Sequence, residues 1–169
     1  MTVPTPTPNL GKRPRTVLAG PYGHPFHPIL VTVPIGAWIA SLVFDIASRV
    51  SDDTAVFAEG SYWLIAVGII GALLAAVFGL LDLLAIPRGT PAFKTALTHM
   101  SINLLVVAVF VVDFALRAAG GYKAVGNVPL TLSVVAIALL GVSGWLGGKL
   151  AYRYGVRVAD EQAQSEGFR

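Results

Sequence analysis

The sequence predicts an all-α integral membrane protein, a four-transmembrane-helix bundle with both termini on the same side. Three observations predict it. Four segments are apolar over lengths that cross a bilayer. Charged residues make up 12% of the 169-residue chain and hydrophobic ones 55%, where a soluble domain carries roughly 25% charged residues. Polar and Gly/Pro-rich stretches lie between the segments or outside them, and the mean hydropathy is +0.73.

A spanning helix needs about 20 mostly apolar residues. The first candidate runs from about Pro28 to Ala47 and follows His24-Pro25-Phe26-His27 directly. Proline is favoured in a helix's first turn and fixes the chain that enters it. Ser51-Asp52-Asp53-Thr54 separates it from the second span, about Ser61–Ile86. Pro87-Arg88-Gly89-Thr90-Pro91 is a tight turn, which makes the second and third spans an antiparallel hairpin. The third span runs about Ala96–Leu116. Gly120-Gly121-Tyr122-Lys123 precedes the fourth, about Val128–Leu150. Residues 1–20 are Pro- and Thr-rich with no apolar run, the pattern of a disordered tail. Residues 21–152 form the membrane domain and 153–169 a polar, frayed C-terminal tail. Met1–Leu10 lacks the basic-then-apolar order of a cleavable signal. No internal repeat is apparent.

Four spans put both termini on one side. Lys12, Arg13, Arg15, Arg88, Lys94, Lys149, Arg153, Arg157 and Arg169 fall there, against Arg49, Arg117 and Lys123 on the other. The positive-inside rule then places the termini and the Pro87–Pro91 turn in the cytoplasm and the protein in the cell membrane. Tyr22, Trp145, Tyr152 and Tyr154 on one side, and Tyr62, Trp63 and Tyr122 on the other, form interfacial belts. The cations are scattered rather than striped among aromatics, so nucleic acid is not a partner. The lack of cysteine excludes disulfides, iron–sulfur ligation and thiol catalysis by this chain.

An ionisable side chain inside a span is costly and points to function. Asp45 and Asp113 each precede an arginine by four residues, Arg49 and Arg117. That order is favourable on a helix, and both pairs read as interfacial ion pairs. The other end gathers His24, His27, Asp82, His99 and Asn103. Asp82 and His99 flank the Pro87–Pro91 turn at similar depth, and His99 and Asn103 share a helix face. Neutral imidazole is the common nitrogen ligand of metals and haem iron. A carboxylate or amide that accepts its second N–H orients it. His27 and His99 are therefore the expected metal or axial ligands, with His24 as alternate and Asp82 and Asn103 as orienters. The plain alternative is a His-Pro cap on the first helix and a satisfied polar residue at His99.

Gly144 and Gly148 on the fourth span have the small-xxx-small spacing that permits close helix contact, within the bundle or in a homo-oligomer. Gly36, Gly68, Gly71 and Gly79 suit packing of the other helices. No phosphate-binding glycine loop is present. Ser101 is two positions from His99 and does not share its face, so a hydrolase triad is not formed and enzymatic activity is not expected.

The run from His24-Pro25-Phe26-His27-Pro28 to Gly36, with Gly79-Leu80-Leu81-Asp82 and His99-Met100-Ser101-Ile102-Asn103, resembles the bacterial membrane family called domain of unknown function 2231. The resemblance covers about Tyr22 to Gly148. It implies the four-helix fold and, through relatives joined to Rieske-type iron–sulfur domains, a redox association. A cysteine-free chain would need a separate redox partner for that. The functional expectation is a small membrane electron-transfer subunit that binds b-type haem or a transition metal. The rival is a non-redox role: a proton-coupled or small-solute transporter, or an assembly subunit.

Overall fold

The computed structural model describes residues 10–12, 16–20, 24–121 and 124–167. The expected aromatic anchors Tyr22 and Tyr122, and the cations Arg13, Arg15, Lys123 and Arg169, lie outside them. Four helices are long and apolar enough to cross a membrane: α1 (Phe26–Val50), α2 (Thr54–Ala85), α3 (Pro91–Gly120) and α4 (Asn127–Arg153). A short α5 (Glu161–Glu166) follows. Each spanning helix is longer than its apolar stretch, because the flanking polar residues continue the turn. Thr90 closes the start of α3 by accepting from the Phe93 N–H at 3.1 Å, with Pro91 in the first turn. α1 is interrupted at Val31. Pro34 offers no N–H to the Leu30 carbonyl and its ring crowds that turn.

Described parts of both flanking segments carry local structure. Leu10–Lys12 and Val17–Ala19 form 3-10 turns. Arg157 N–H donates to the Gly11 carbonyl at 2.9 Å. The Arg157 guanidinium donates to the Ala19 carbonyl at 2.8 Å and pairs with Asp82 at 3.0 Å. Arg157 holds a left-handed φ of 60°, a conformation costing of order 1–3 kcal/mol for a non-glycine residue, which these three contacts offset. Segments that flank the first and last spans thus meet at the same end of the bundle.

Around the bundle the neighbours are α1–α2, α2–α3, α3–α4 and α4–α1, which leaves α1 and α3 on a diagonal. Their side chains meet across that diagonal at three levels. His27 and His99 have ring centres 6.3 Å apart. Trp38 and Phe110 stack at 4.3 Å. Asp45 and Arg117 pair at 2.6 Å. At 1.5 Å per residue the first and last levels are ~27 Å apart, close to the ~30 Å hydrocarbon thickness. Each partner follows the other by 72 residues, as hydrogen-bonded Asp45 and Arg117 do.

Two parallel helices of equal rise pair at a constant offset, and the pattern of burial repeats with it. Pro34 and Val106, Trp38 and Phe110, Ser41 and Asp113, and Asp45 and Arg117 are equivalent positions on α1 and α3, and all are buried. On α2 and α4, Ile65 and Ser133, Gly68 and Ala136, Ala75 and Ser143, and Asp82 and Leu150 are equivalent and buried likewise. The fold is two helical hairpins of one design around a shared axis. Most equivalent residues differ in chemistry, so the repeat is one of burial and role.

The middle level is apolar. Trp38, Ile65, Val106, Phe110 and Ala136 bring all four helices into one core cluster. Outward-facing Ile39, Val43, Leu73, Val77, Leu104 and Val135 are exposed on the bundle, the surface that a bilayer covers. Gly68 makes the middle level possible: a Cβ there would sit 2.2 Å from Trp38 Nε1. Gly71 similarly faces Val33 and Pro34. Gly36, Gly141 and Gly144 have open space around them, and Gly148 meets only Tyr152 at 3.9 Å. Those four do not bring the described helices together, contrary to the packing role expected of Gly36 and to the bundle-packing option for Gly144 and Gly148.

The third level corrects the reading of Asp45 and keeps the expected Asp113–Arg117 pair, now buried. Asp45 does not pair with Arg49, whose guanidinium instead donates to the Val125 carbonyl at 2.7 Å and Asn127 Oδ1 at 2.9 Å. Asp45 lies four helix residues before Arg49, but its carboxylate faces the bundle axis and Arg49 faces the α3–α4 connection. Arg117 forks onto both acids. Nη1 and Nη2 donate to Asp45 Oδ1 and Oδ2 at 2.6 and 2.8 Å. Nε and Nη2 donate to Asp113 Oδ1 and Oδ2, each at 3.0 Å. Ser61 of α2 and Ser133 of α4 also accept from the guanidinium, each at 3.1 Å. All four helices therefore supply a polar group to this arginine layer. Asp45, Asp113, Ser61 and Ser133 are 0% exposed, so these are buried bonds and not interfacial pairs.

Two outcomes follow from the packing. Gly68→Ala drives a methyl into Trp38 and is expected to destabilise the bundle by about 1–3 kcal/mol, whereas Gly36→Ala changes little; thermal unfolding in mild detergent compares them. If two hairpins of one design hold together through the axial levels, residues 1–88 and 89–169 expressed as separate chains co-purify. Arg117→Met in the second piece, which strips the cation from between two buried acids, sharply reduces that co-purification.

Candidate functional site

At the first axial level the two imidazoles are held alike. His27 Nδ1 lies 2.9 Å from the Ala75 carbonyl of α2. His99 Nδ1 lies 2.8 Å from the Ser143 carbonyl of α4 and 2.9 Å from Ser143 Oγ. A carbonyl oxygen only accepts, so Nδ1 carries the proton in both rings. One turn beyond each acceptor stands a glycine. A Cβ on Gly79 would lie 3.0 Å from His27 Cε1, and one on Gly147 would lie 3.3 Å from His99 Cε1. Each ring thus lies in a notch that a missing side chain leaves in the facing helix.

Asn103 fixes the same tautomer independently. Its Nδ2 stands 2.9 Å from the His99 carbonyl and 3.1 Å from His99 Nε2. The carbonyl demands a donor, so the amide N–H group faces His99, and Nε2 accepts. His99 is therefore a neutral donor at Nδ1 with a lone pair at Nε2, and His27 likewise donates from Nδ1. That is the state in which imidazole binds a metal.

The structure brings His27, His99 and Asn103 together. Asp82 stands apart from them in its bonding, paired with Arg157 at 3.0 Å. The acceptors of the ring N–H groups are main-chain carbonyls, Ala75 on α2 and Ser143 on α4. His24 is exposed and lies outside the pair. Among the described residues no group of three or more His, Cys, Asp or Glu side chains is placed to hold a metal ion. A metal here would have two imidazoles as its protein ligands. Sequence reading missed Ser143, Gly147 and Arg157. The first two were legible only through their equivalence to Ala75 and Gly79.

The model of the family described as "Predicted membrane protein (DUF2231)" matches residues 23–160. The chain belongs to the DUF2231 family. No curated protein and no solved structure matches it. The DUF2231 match takes in all four spanning helices, both polar layers and Arg157, so the family unit is the whole bundle with its C-terminal strap.

The tautomers give a direct check. In protein labelled with ¹⁵N-histidine, His27 and His99 are expected to show a protonated Nδ1 and an accepting Nε2 at neutral pH. Gly79→Ala and Gly147→Ala each perturb the signals of the ring they face, and a protonated Nε2 in either ring contradicts the anchoring described.

Proposed function

We propose that this DUF2231 protein is a small membrane electron-transfer subunit that holds a transition-metal centre, as b-type haem iron or as a bare ion, on His27 and His99. The observation that carries this reading is the pair of anchored rings. Each Nδ1–H is bound to a main-chain carbonyl, which orients the ring and raises the basicity of Nε2. Sites of this kind are built inside helix bundles from side chains on facing helices. His27 and His99 would hold such a centre, and their ring centres stand 6.3 Å apart.

Asn103 would orient His99, since its amide lies 3.1 Å from His99 Nε2. Electrons come from a separate partner protein, because the chain supplies no cysteine for a cluster of its own. The balance of cations assigns the histidine level to the cytoplasmic side.

Protein isolated in mild detergent is expected to carry a Soret band or about one equivalent of bound transition metal. His27→Ala and His99→Ala lose it, while His24→Ala and Asn103→Ala keep it. Wild-type protein that shows neither a Soret band nor stoichiometric metal, even after reconstitution with haem or metal, overturns the reading.

A further inference from the structure

Among the described residues, one guanidinium, Arg117, faces two carboxylates, Asp45 and Asp113, inside the bundle. α1 gives Asp45, α2 gives Ser61, α3 gives Asp113 and Arg117, and α4 gives Ser133. Arg49 is committed to Val125 and Asn127. No second cation among the described residues balances the second acid. A net charge removed from water is expensive, and buried groups commonly shed it by taking up a proton.

The oxygen contacts point the same way. Ser61 Oγ is 3.0 Å from the Ser41 carbonyl and hydrogen-bonds Asp45 Oδ1. Ser133 Oγ is 3.0 Å from Asp45 Oδ2 and 3.0 Å from Asp113 Oδ2. A hydroxyl has one proton to donate, so four oxygen–oxygen contacts share two hydroxyl protons. The guanidinium donors are already spent on the same oxygens. One more proton, on the aspartate pair, fills a third contact and brings the layer to neutrality.

A cavity of about 200 Å³ lies at this end of the bundle, and Arg117 is among its lining residues with Tyr62, Leu116, Val125 and Pro129. It lies between α2, α3 and the connection into α4. Toward the other end, the Trp38–Phe110 stack and its apolar neighbours close the axis.

We propose that Asp45 and Asp113 together bind one exchangeable proton, taken from the aqueous phase at this end of the bundle through the cavity beside Arg117. The site is distinct from the histidine pair and stands whether or not that pair binds a metal. Loading it moves a proton from water onto a carboxylate oxygen with no other reactant.

Isotope-edited infrared spectroscopy on the full chain in detergent, with aspartate carboxyl carbons labelled, tests this. At neutral pH the wild-type protein is expected to show the carbonyl stretch of one protonated aspartate, and transfer to D₂O shifts it without unfolding. Asp45→Asn and Asp113→Asn each leave one carboxylate for one guanidinium, so each loses the band, whereas Asp82→Asn keeps it. A wild-type spectrum with every aspartate ionised overturns the proposal, as does a band that resists D₂O in the folded protein. A band that survives in both Asn variants also overturns it. The wild-type measurements decide the matter even if a variant fails to fold.

Discussion

Arg117 sets the terms on which this bundle assembles. A guanidinium stays charged at any pH a membrane meets and has five donors to satisfy. Within a bilayer there is no water to do it. Asp45, Ser61, Asp113 and Ser133 come from all four helices to meet that demand. A helix that shifts along or rotates about its axis breaks at least one of those bonds. In a membrane, where apolar faces find lipid as congenial as each other, packing alone specifies register weakly. The buried ionic layer supplies what packing does not.

The other levels inherit that register. With Asp45 and Arg117 fixed, positions seven residues earlier place Trp38 against Phe110, and eleven residues earlier still place His27 beside His99. Polar groups thus occupy both ends of the axis and a dry aromatic plug separates them.

The repeat explains why so few helices suffice for two built levels. One hairpin design, used twice, turns each axial position into a facing pair. His27 and His99 are alike, as are Gly79 and Gly147, because both rings need the same notch and the same carbonyl. Asp45 and Arg117 are opposite in charge, because like charges on the axis of a buried bundle repel. Trp38 and Phe110 stack and fill one layer between them.

Much of this was legible in the chain. Four apolar runs, their turns and the Pro-bounded hairpin follow from the cost of exposing peptide groups to lipid, a property of composition that needs no partner. The histidine end was legible because His27 and His99 are ionisable residues in or beside spans. What sequence spacing misjudged was pairing. Asp45 and Arg49 have the right separation for an ion pair, yet the acid's neighbour is Arg117, because a helix face chooses among everything packed against it. Asp82 likewise belongs to Arg157 rather than to the histidines, and the repeat hides behind substituted residues. The sequence by itself determined that the chain crosses a membrane four times and which polar residues must be satisfied there. Only the tertiary structure decided who satisfies them, because hydrogen-bond partners in a low-dielectric interior are chosen by distance across helices and not by distance along the chain.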